Sequence, residues 1–141
     1  MTEREFKTLG NTKPPAFKAT GPFAPPPDYV HLPLEDASAA DRKNAPIVTG
    51  FLDYFPDAAL ECAMLSKIGN DQHNPGELLH WARQKSGDES DTMVRHAMAR
   101  GTRDKDGVRH STKAAWRAMA NLQKEIEAER GDGLISRGSR P

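Results

Sequence analysis

Apolar residues recur at helical spacing shortly after position 55. Leu60, Met64 and Ile68 lie four residues apart, so they fall on one face of a helix. Pro56 suits the first helical position because its missing N–H leaves no hydrogen bond unmade there, and Gly69 is typical of a helix end. The pattern therefore predicts a helix between these two residues.

A longer apolar seam marks the last part of the chain, at Val108, Thr112, Ala115, Met119, Leu122 and Ile126. Spacings of four and three residues alternate along it, which predicts a long helix over 108–130. Polar residues line the opposite side of this helix, at His110, Lys113, Arg117, Asn121 and Lys124. Because such a seam packs against other helices, we expect a homo-oligomer, either a dimer or a tetramer.

Two shorter helices are predicted between these segments. Asn74, Pro75 and Glu77 have the pattern of a helix start, with an Asx cap, a proline and a carboxylate in the first turn. They predict a short helix that ends by Ser86. A third helix is predicted over 88–100, where apolar residues occupy one side and charged residues the other.

Four helical segments without an alternating run of β-branched residues indicate an all-α fold, a small helical bundle over residues 47–130. Residues 1–46 hold eight of the eleven prolines and are predicted to form an extended Pro-rich N-terminal arm. Residues 131–141 are rich in glycine and arginine and are predicted to form a flexible tail.

Composition narrows the classes of partner. Twenty basic and twenty acidic side chains cancel. Since proteins that bind long nucleic acid are normally basic, we expect no long nucleic acid as the main partner, whereas a small nucleotide remains compatible. Without a signal-type or bilayer-spanning apolar run, no membrane partner and a cytoplasmic location are expected. Cys62 lies among apolar residues, which favours a buried side chain over a reactive thiol.

Polar chemistry is concentrated between Ser66 and His110, which enclose four of the five histidines. Within this stretch, Asp88 and Asp91 lie at positions i and i+3 on one face of the predicted third helix, together with Arg95. Two carboxylates in this arrangement can share Mg²⁺, which binds hard oxygen ligands. The alternative is a capping aspartate followed by a surface charge.

A second cluster precedes the last helix and consists of Asp104, Asp106 and His110. These side chains can converge at the helix start, where carboxylates also complement exposed N–H groups. A histidine ligand suits Mn²⁺ or Co²⁺ better than Mg²⁺, and His110 could instead be a general base. The metal and structural interpretations are both open for this cluster.

The other polar residues of the stretch are candidates for binding and catalysis. Lys67 and Arg95 carry charges suited to phosphate, and His96 suits a proton donor or a phosphate contact. Trp81 can stack on a base, although a tryptophan on a short helix is more often part of a core. The candidate catalytic residues are Lys67, Arg95 and His96, and the candidate substrate-binding residues are Lys67, Asn70, His73, Asn74, Trp81, Arg83 and Lys113.

Several other chemistries lack their residues. The sequence contains no P-loop, no G-x-S-x-G, no cysteine pair for zinc and no H-E-x-x-H. Metal-assisted attack on a phosphate ester is the chemistry that remains.

The polar stretch and its neighbours resemble a family of small phage and bacterial proteins described as dATP/dGTP diphosphohydrolases. The resemblance covers about residues 42–127 and is carried by DYFPDA, by SK-x-GN-x-QHNPG-x-x-LHWAR-x-KS, by D-x-x-D with RH, and by RGT-x-D-x-DG-x-RH with K-x-AWRA. This family is similar to the all-α MazG-type pyrophosphohydrolases, which form helical oligomers. Those proteins use carboxylates to hold Mg²⁺ or Mn²⁺ while water cleaves the α–β phosphate link.

The resemblance implies a metal-dependent pyrophosphohydrolase that converts dATP or dGTP into a nucleoside monophosphate and pyrophosphate. Some relatives serve phages that replace adenine with 2-aminoadenine, and a phage-encoded protein would work in the host cytoplasm. The MazG pattern of E-x-x-E and E-x-x-D is not present literally. The metal ligands that would replace it are Asp88, Asp91, Asp104, Asp106 and His110, with Glu61 as an additional candidate. The absence of the literal MazG pattern favours an alternative function, a non-catalytic nucleotide-binding or phage interaction protein on the same scaffold.

Overall fold

The computed structural model of the chain describes residues 37–140, and this part is mostly helical. Its elements, in chain order, are α1 (Ala39–Asn44), α2 (Pro56–His73), β1 (Trp81–Ala82), α3 (Glu89–Met98), α4 (His110–Arg130) and β2 (Ser139–Arg140). A π-helical turn covers Val48–Leu52, and a 3₁₀ turn covers Arg83–Lys85. The helical class predicted from the sequence is thus confirmed, with one short parallel strand pair added to it.

The chain divides into two units, residues 1–45 and 46–141, of which the first is described from residue 37. In this unit α1 begins with a capping box: the Ser38 hydroxyl accepts from the Asp41 N–H, and the Asp41 carboxylate accepts from the Ser38 N–H. The prediction of an extended arm over 1–46 is therefore wrong at α1, because these reciprocal hydrogen bonds stabilise a helical turn. Residues 1–36 of the predicted arm lie outside the described residues.

α2 begins as predicted but continues through Gly69 and ends at His73. The reason lies in Asn70, which is buried and whose side chain binds the loop that follows. Its Nδ2 donates to the carbonyl of Glu77 (3.2 Å), and its Oδ1 accepts from the N–H of His80 (3.4 Å). Because these contacts hold the last turn of α2 in place, Gly69 is interior to the helix and does not end it.

The helix predicted to begin at Asn74 does not form. Gly76 adopts a φ of 81°, a left-handed conformation that the first turn of an α-helix excludes. The Asn74 Oδ1 accepts from the Lys85 ammonium (2.7 Å) and so does not cap a helix. The chain instead runs into β1, where the Trp81 N–H donates to the carbonyl of Gly138 (2.7 Å).

α3 and α4 form where the third and last helices are predicted. A tight polar loop joins them, in which the Asp104 N–H donates to the Val108 carbonyl (2.9 Å) and the His110 N–H donates to the Thr102 carbonyl (3.1 Å). α4 ends at a left-handed C-cap, Gly131, with a φ of 68°. α4 packs against both α2 and α3. Its polar face and the loop before it therefore border the space between these helices.

The segment after α4 returns to the bundle. β2 pairs in parallel with β1, and Ser139 lies beside Trp81 in this pair. Glu127 of α4 is buried and accepts hydrogen bonds from the Arg83 guanidinium and from the N–H of Ser136. The segment that composition predicts to be a flexible tail is therefore tied, in this structure, to β1 and α4.

The apolar interior is small. Among the described residues, Ala120 is the one hydrophobic residue that is buried, and no large side chain is fully buried. The polar or charged residues that are buried are Asn70, Glu89, Thr112, Glu127 and Ser139. On the apolar seam of α4, Met119 and Leu122 are 54% and 48% exposed, so much of that seam has no partner within the described chain.

The sequence predicts that Cys62 is a buried side chain and not a reactive thiol. Cys62 is half-buried on α2, and desolvation raises the pKa of its thiol, with a smaller contribution from the charge of Glu61. A higher pKa favours the thiol over the reactive thiolate.

Within residues 37–140, no helix has the length and apolar character needed to cross a bilayer.

Candidate functional site

A cavity of about 750 Å³ lies between α2, β1 and α4. Its volume falls in the range of roughly 300–1,000 Å³ that is usual for small-molecule sites. Its polar and aromatic lining residues are Ser66, Asn70, Gln72, His73, Asn74, His80, Trp81, Lys85, His96, Asp106, Lys113, Trp116 and Arg117. A cavity with this lining is the best-formed candidate site in the described part of the chain.

Lys113 is the central cation of the site. It lies on α4, one turn after His110, and its side chain is 14% exposed. Its ammonium donates to the Asp104 carboxylate (2.7 Å) and to the Asp106 carboxylate (2.6 Å). Two residues of the cluster predicted at the start of the last helix, Asp104 and Asp106, thus share Lys113, and Asp106 is not part of the metal-ligand group described next.

His96, Asp104 and His110 form a group in which each residue has a potential ligand atom within 4.8 Å of the others. His96 is in the last turn of α3, Asp104 is in the loop, and His110 is the first residue of α4. The Nδ1 atoms of the two histidines are 2.8 Å apart, which is a hydrogen-bond distance. All three residues are half-buried, and their atoms are of the types that bind divalent metal ions.

The pKa values of three groups in this part of the site are lowered. Hydrogen bonds from the Lys113 ammonium and from the N–H of Lys105 lower the pKa of Asp104 to about 2. Desolvation, and then the charges of His110 and Lys113, lower the pKa of His96. Hydrogen bonds from Lys113 and the Val108 N–H also lower the pKa of Asp106. At neutral pH, the site thus contains two carboxylates, while burial and neighbouring cations favour a neutral His96.

An aromatic pair forms another wall of the cavity. Trp81 of β1 and Trp116 of α4 meet edge to face, with ring centroids 5.7 Å apart and planes at 83°. The Trp116 indole N–H donates to the Ser66 hydroxyl on α2 (2.8 Å). The Arg117 guanidinium lies 5.5 Å from the centre of the Trp116 ring. This wall therefore presents aromatic edges and a cation to the cavity.

The end of α2 and the following loop form the third side. The Lys85 ammonium donates to the His73 carbonyl (3.0 Å) and to the Asn74 side chain (2.7 Å). The His80 ring lies close to the Leu78 carbonyl, with Nδ1 2.9 Å from its oxygen. Of the predicted substrate-binding residues, the cavity thus brings together Asn70, His73, Asn74, Trp81 and Lys113.

No family model, curated protein or solved structure matches this chain. The functional interpretation therefore depends on the side chains of the site and on their geometry.

Two predicted phosphate-binding cations do not reach the cavity. Lys67 is exposed on α2 and forms an ion pair with Asp71 one turn away. Arg95 is exposed on α3, where it donates to Asp88 (2.8 Å) and to the Thr92 hydroxyl (2.7 Å). Both charges are satisfied by near neighbours on their own helix or at its start, which explains why the predicted catalytic role is not supported for either residue.

The predicted metal pair Asp88 and Asp91 also lies apart from the histidine group. The Asp88 carboxylate accepts from Arg95 and Thr92, and these hydrogen bonds lower the pKa of Asp88 to about 2. Asp91 is exposed in the first turn of α3. In the described range, the metal-ligand group contains neither residue. Asp88 occupies the N-cap position of α3 without a side-chain cap hydrogen bond, and Asp91 is a surface charge.

Arg83 and Glu61 have structural partners as well. The Arg83 guanidinium pairs with buried Glu127 and donates to the Ser139 hydroxyl (3.1 Å), so it ties β2 to α4 and does not line the cavity. Glu61 accepts from the Arg109 Nε (3.0 Å) and from the Thr112 hydroxyl, away from the metal-ligand group.

Several cavity residues are not among the predicted site residues, including Ser66, Lys85, Trp116, Arg117 and Gly138. A signal existed for Arg117, because it belongs to the polar stripe of the last helix at helical spacing from Lys113. Lys85 was not identified as a cavity residue because the sequence predicted a helix there that does not form. Gly138 reaches the cavity only through strand pairing across a long stretch of sequence, for which no local pattern exists.

Proposed function

We propose that this protein is a metal-dependent (deoxy)nucleoside triphosphate pyrophosphohydrolase that converts dATP or dGTP into a nucleoside monophosphate and pyrophosphate. The observation that carries the proposal is the cavity of about 750 Å³, in which cationic, aromatic and metal-ligating side chains border one space. Phosphates, a base and a divalent ion are the ligands that these three kinds of side chain bind.

Positive charge in the cavity suits the phosphates. Lys85 of the 3₁₀ turn and Lys113 and Arg117 of α4 line the cavity, so they can contact different oxygens of one triphosphate. Their carbonyl, carboxylate, amide and ring partners fix them before substrate arrives. Preorganised positive charge of this kind stabilises the negative charge that develops as a phosphoanhydride bond breaks.

The donor set fits a divalent ion. Asp104 provides carboxylate oxygens, and His96 and His110 provide ring nitrogens; of these three residues, His96 lines the cavity. A bound ion would neutralise phosphate charge and make water a better nucleophile at neutral pH. Lys113 contributes by holding Asp104 in one orientation through its 2.7 Å hydrogen bond.

The aromatic wall suits a nucleoside. Trp81 and Trp116 both line the cavity, and aromatic side chains make favourable contacts with a base. Asn74 and His80 also line the cavity and carry hydrogen-bonding groups for a base or a sugar.

The test is the product of nucleotide turnover. The full chain is incubated with dGTP or dATP and with Mg²⁺ or Mn²⁺, and the products are separated by anion-exchange chromatography and ³¹P NMR. We expect the monophosphate and pyrophosphate in equal amounts. We expect Asp104→Asn to lose at least about tenfold in rate. Its matched control is Asp71→Asn, an exposed aspartate on α2 away from the cavity, which should keep the rate.

One outcome favours the alternative, a non-catalytic nucleotide-binding protein. The ion pairs of Asp104 and Asp106 with Lys113 are compatible with a site that binds nucleotide without turnover. Binding of dGTP by calorimetry with no product under any metal would support that alternative and contradict hydrolysis.

We also propose that the functional form is a homo-oligomer. The support is the shortage of buried apolar side chains in the described chain together with the exposed seam of α4. Helical bundles of this size need a larger apolar core than one alanine, and a second copy supplies the same apolar surface.

A further inference from the structure

The end of α3, the start of α4 and the loop between them bring together a ligand set of two imidazoles and one carboxylate. We propose that His96, Asp104 and His110 together bind one divalent first-row transition-metal ion, in preference to Mg²⁺, with His96 as a ligand. This inference deepens the proposed function, because it names the ion and the ligands of the same site.

The distances fit an ion. Metal–nitrogen bonds of about 2.0–2.1 Å at a right angle separate two ligand nitrogens by roughly 3 Å. The Nδ1 atoms of His96 and His110 are 2.8 Å apart, and the rings are tilted by 36°. Two ring nitrogens this close need a proton between them or a shared cation, since two lone pairs repel. A divalent ion can take the place of that proton.

The third ligand is already oriented. The Asp104 Oδ2 accepts from Lys113 (2.7 Å), and the Oδ1 accepts from the N–H of Lys105 (2.7 Å). A carboxylate has lone pairs left after two hydrogen bonds, and metal-binding carboxylates are commonly held in this way by outer partners. The oxygen atoms therefore retain the capacity to bind an ion.

The backbone fixes the three residues relative to one another. The His110 N–H donates to the Thr102 carbonyl (3.1 Å), and the Asp104 N–H donates to the Val108 carbonyl (2.9 Å). These hydrogen bonds close the loop between the two histidine-bearing helices. A site on helix ends joined by a short closed loop is preorganised, which favours metal binding without nucleotide.

The ligand chemistry decides the class of ion. Mg²⁺ binds oxygen ligands and keeps several waters, whereas imidazole nitrogens favour transition metals such as Co²⁺, Ni²⁺ and Zn²⁺. Two imidazoles and one carboxylate form a set of this second kind. With Asp106 and Lys113 beside it, the group carries one net negative charge when the histidines are neutral, which a divalent ion reverses. The reversal favours an anionic ligand in the cavity.

The experiment titrates the full chain with Co²⁺ in the absence of nucleotide and follows its visible absorption bands, with Mg²⁺ as a competitor. We expect one Co²⁺ per chain, and at least about tenfold weaker binding of Mg²⁺. His96→Ala, His110→Ala and Asp104→Asn should each weaken Co²⁺ binding by at least about tenfold. Helical circular dichroism shows that each variant is folded.

The matched control is Asp91→Asn, which removes a carboxylate that the sequence also marks as a metal ligand. Co²⁺ binding should be unchanged in this variant, because Asp91 lies outside the histidine group. Equal Co²⁺ binding in wild type and in all three folded cluster variants would overturn the inference, as would Mg²⁺ binding as tight as Co²⁺ binding.

The two proposals fail separately. If Co²⁺ binds as expected but no nucleotide is hydrolysed, the metal site stands and the proposed function falls. If dGTP is hydrolysed while Co²⁺ binding is insensitive to the cluster variants, the proposed function stands and this inference falls.

Discussion

Asn70 shows how one buried side chain positions the cavity. It lies in the last turn of α2, is 4% exposed, and binds the backbone at Glu77 and His80. A buried backbone group without a partner costs roughly 1–3 kcal/mol, so these two hydrogen bonds decide the path of the loop. That path delivers Trp81 to the aromatic wall.

Asn70→Ala is expected to lower the free energy of unfolding by about 1–3 kcal/mol, because it leaves the loop backbone unsatisfied. The measurement is urea unfolding followed by circular dichroism. Its control on the same helix is Lys67→Ala, an exposed ion-pair residue, which should change stability by less than about 0.5 kcal/mol. An equal effect of both substitutions would contradict the structural role of Asn70.

Glu127 gives the fold a defined acid sensitivity. Burial raises the pKa of its carboxyl, but hydrogen bonds from Arg83, Gln123 and the Ser136 N–H outweigh it and lower the pKa from its ordinary value of 4.5. A lowered pKa in the folded state means that the stabilising contribution is present above pH 4.5 and is lost as pH falls through the lower, folded value.

We expect the thermal midpoint of the wild type to fall as the pH drops below about 4.5, and the fall to be smaller in Glu127→Gln. At neutral pH this variant should be less stable by about 3 kcal/mol, since it leaves the Arg83 charge without its partner. If the thermal midpoints of the two proteins fall by the same amount between pH 7 and pH 3, Glu127 is not the group responsible for the acid sensitivity.

At the residue scale, the sequence could identify chemical types but not their partners. Asp104 and His110 were identified as candidate metal ligands because histidine and aspartate bind metals and lie within a short stretch, whereas His96 was assigned as a proton donor or phosphate contact. Lys67 and Arg95, which the sequence assigned to phosphate, lie outside the cavity, because a cation suited to phosphate is equally suited to a carboxylate nearby on its own helix. Which of the two partners it meets depends on burial, and burial depends on the whole fold.

At the element scale, α2, α3 and α4 followed their apolar spacing and their caps, whereas the second predicted helix did not form. The signals at Asn74 and Pro75 are local, but the segment after them is held by Asn70 and by the pairing of β1 with β2. Partners distant in sequence overrode local preference here, and no pattern in the sequence marks those partners. The same holds for the tail, whose composition predicts flexibility.

Two glycines of the helices should respond to alanine with opposite signs. Gly131→Ala places a side chain at a φ of 68°, so we expect it to destabilise the protein by about 1 kcal/mol. Gly69→Ala is in the interior of α2, where an added Cβ meets no atom within 4 Å. It should stabilise the protein by roughly 0.5–1 kcal/mol. Urea unfolding measures both, and destabilisation by Gly69→Ala would contradict the continuous α2.

At the scale of the whole molecule, the described chain buries little apolar surface. Ala120 is its one buried hydrophobic residue, while Tyr54 and Leu60 are 70% and 61% exposed. Apolar patches of this extent on a small domain usually mark an interface. The proposed association with further copies therefore predicts that the stability of the chain depends on its concentration.

We expect light scattering to give a mass that is a multiple of the monomer mass, and we expect the thermal midpoint to rise with protein concentration. Leu122→Glu should lower the mass or the midpoint, because it places a charge on the apolar seam of α4. Glu129→Lys, on an exposed site of the same helix, is the matched control and should do neither. A concentration-independent monomer would contradict the homo-oligomer.

The position of the site in the chain has a consequence for the order of folding. His96 and His110 are 14 residues apart, so closing their loop costs little entropy, whereas Arg83 and Ser139 are 56 residues apart. Contacts between near residues form sooner than contacts between distant ones. The contact between His96 and His110 should thus form before β1 pairs with β2. A metal ion present during refolding would then bind its ligands before the cavity is complete.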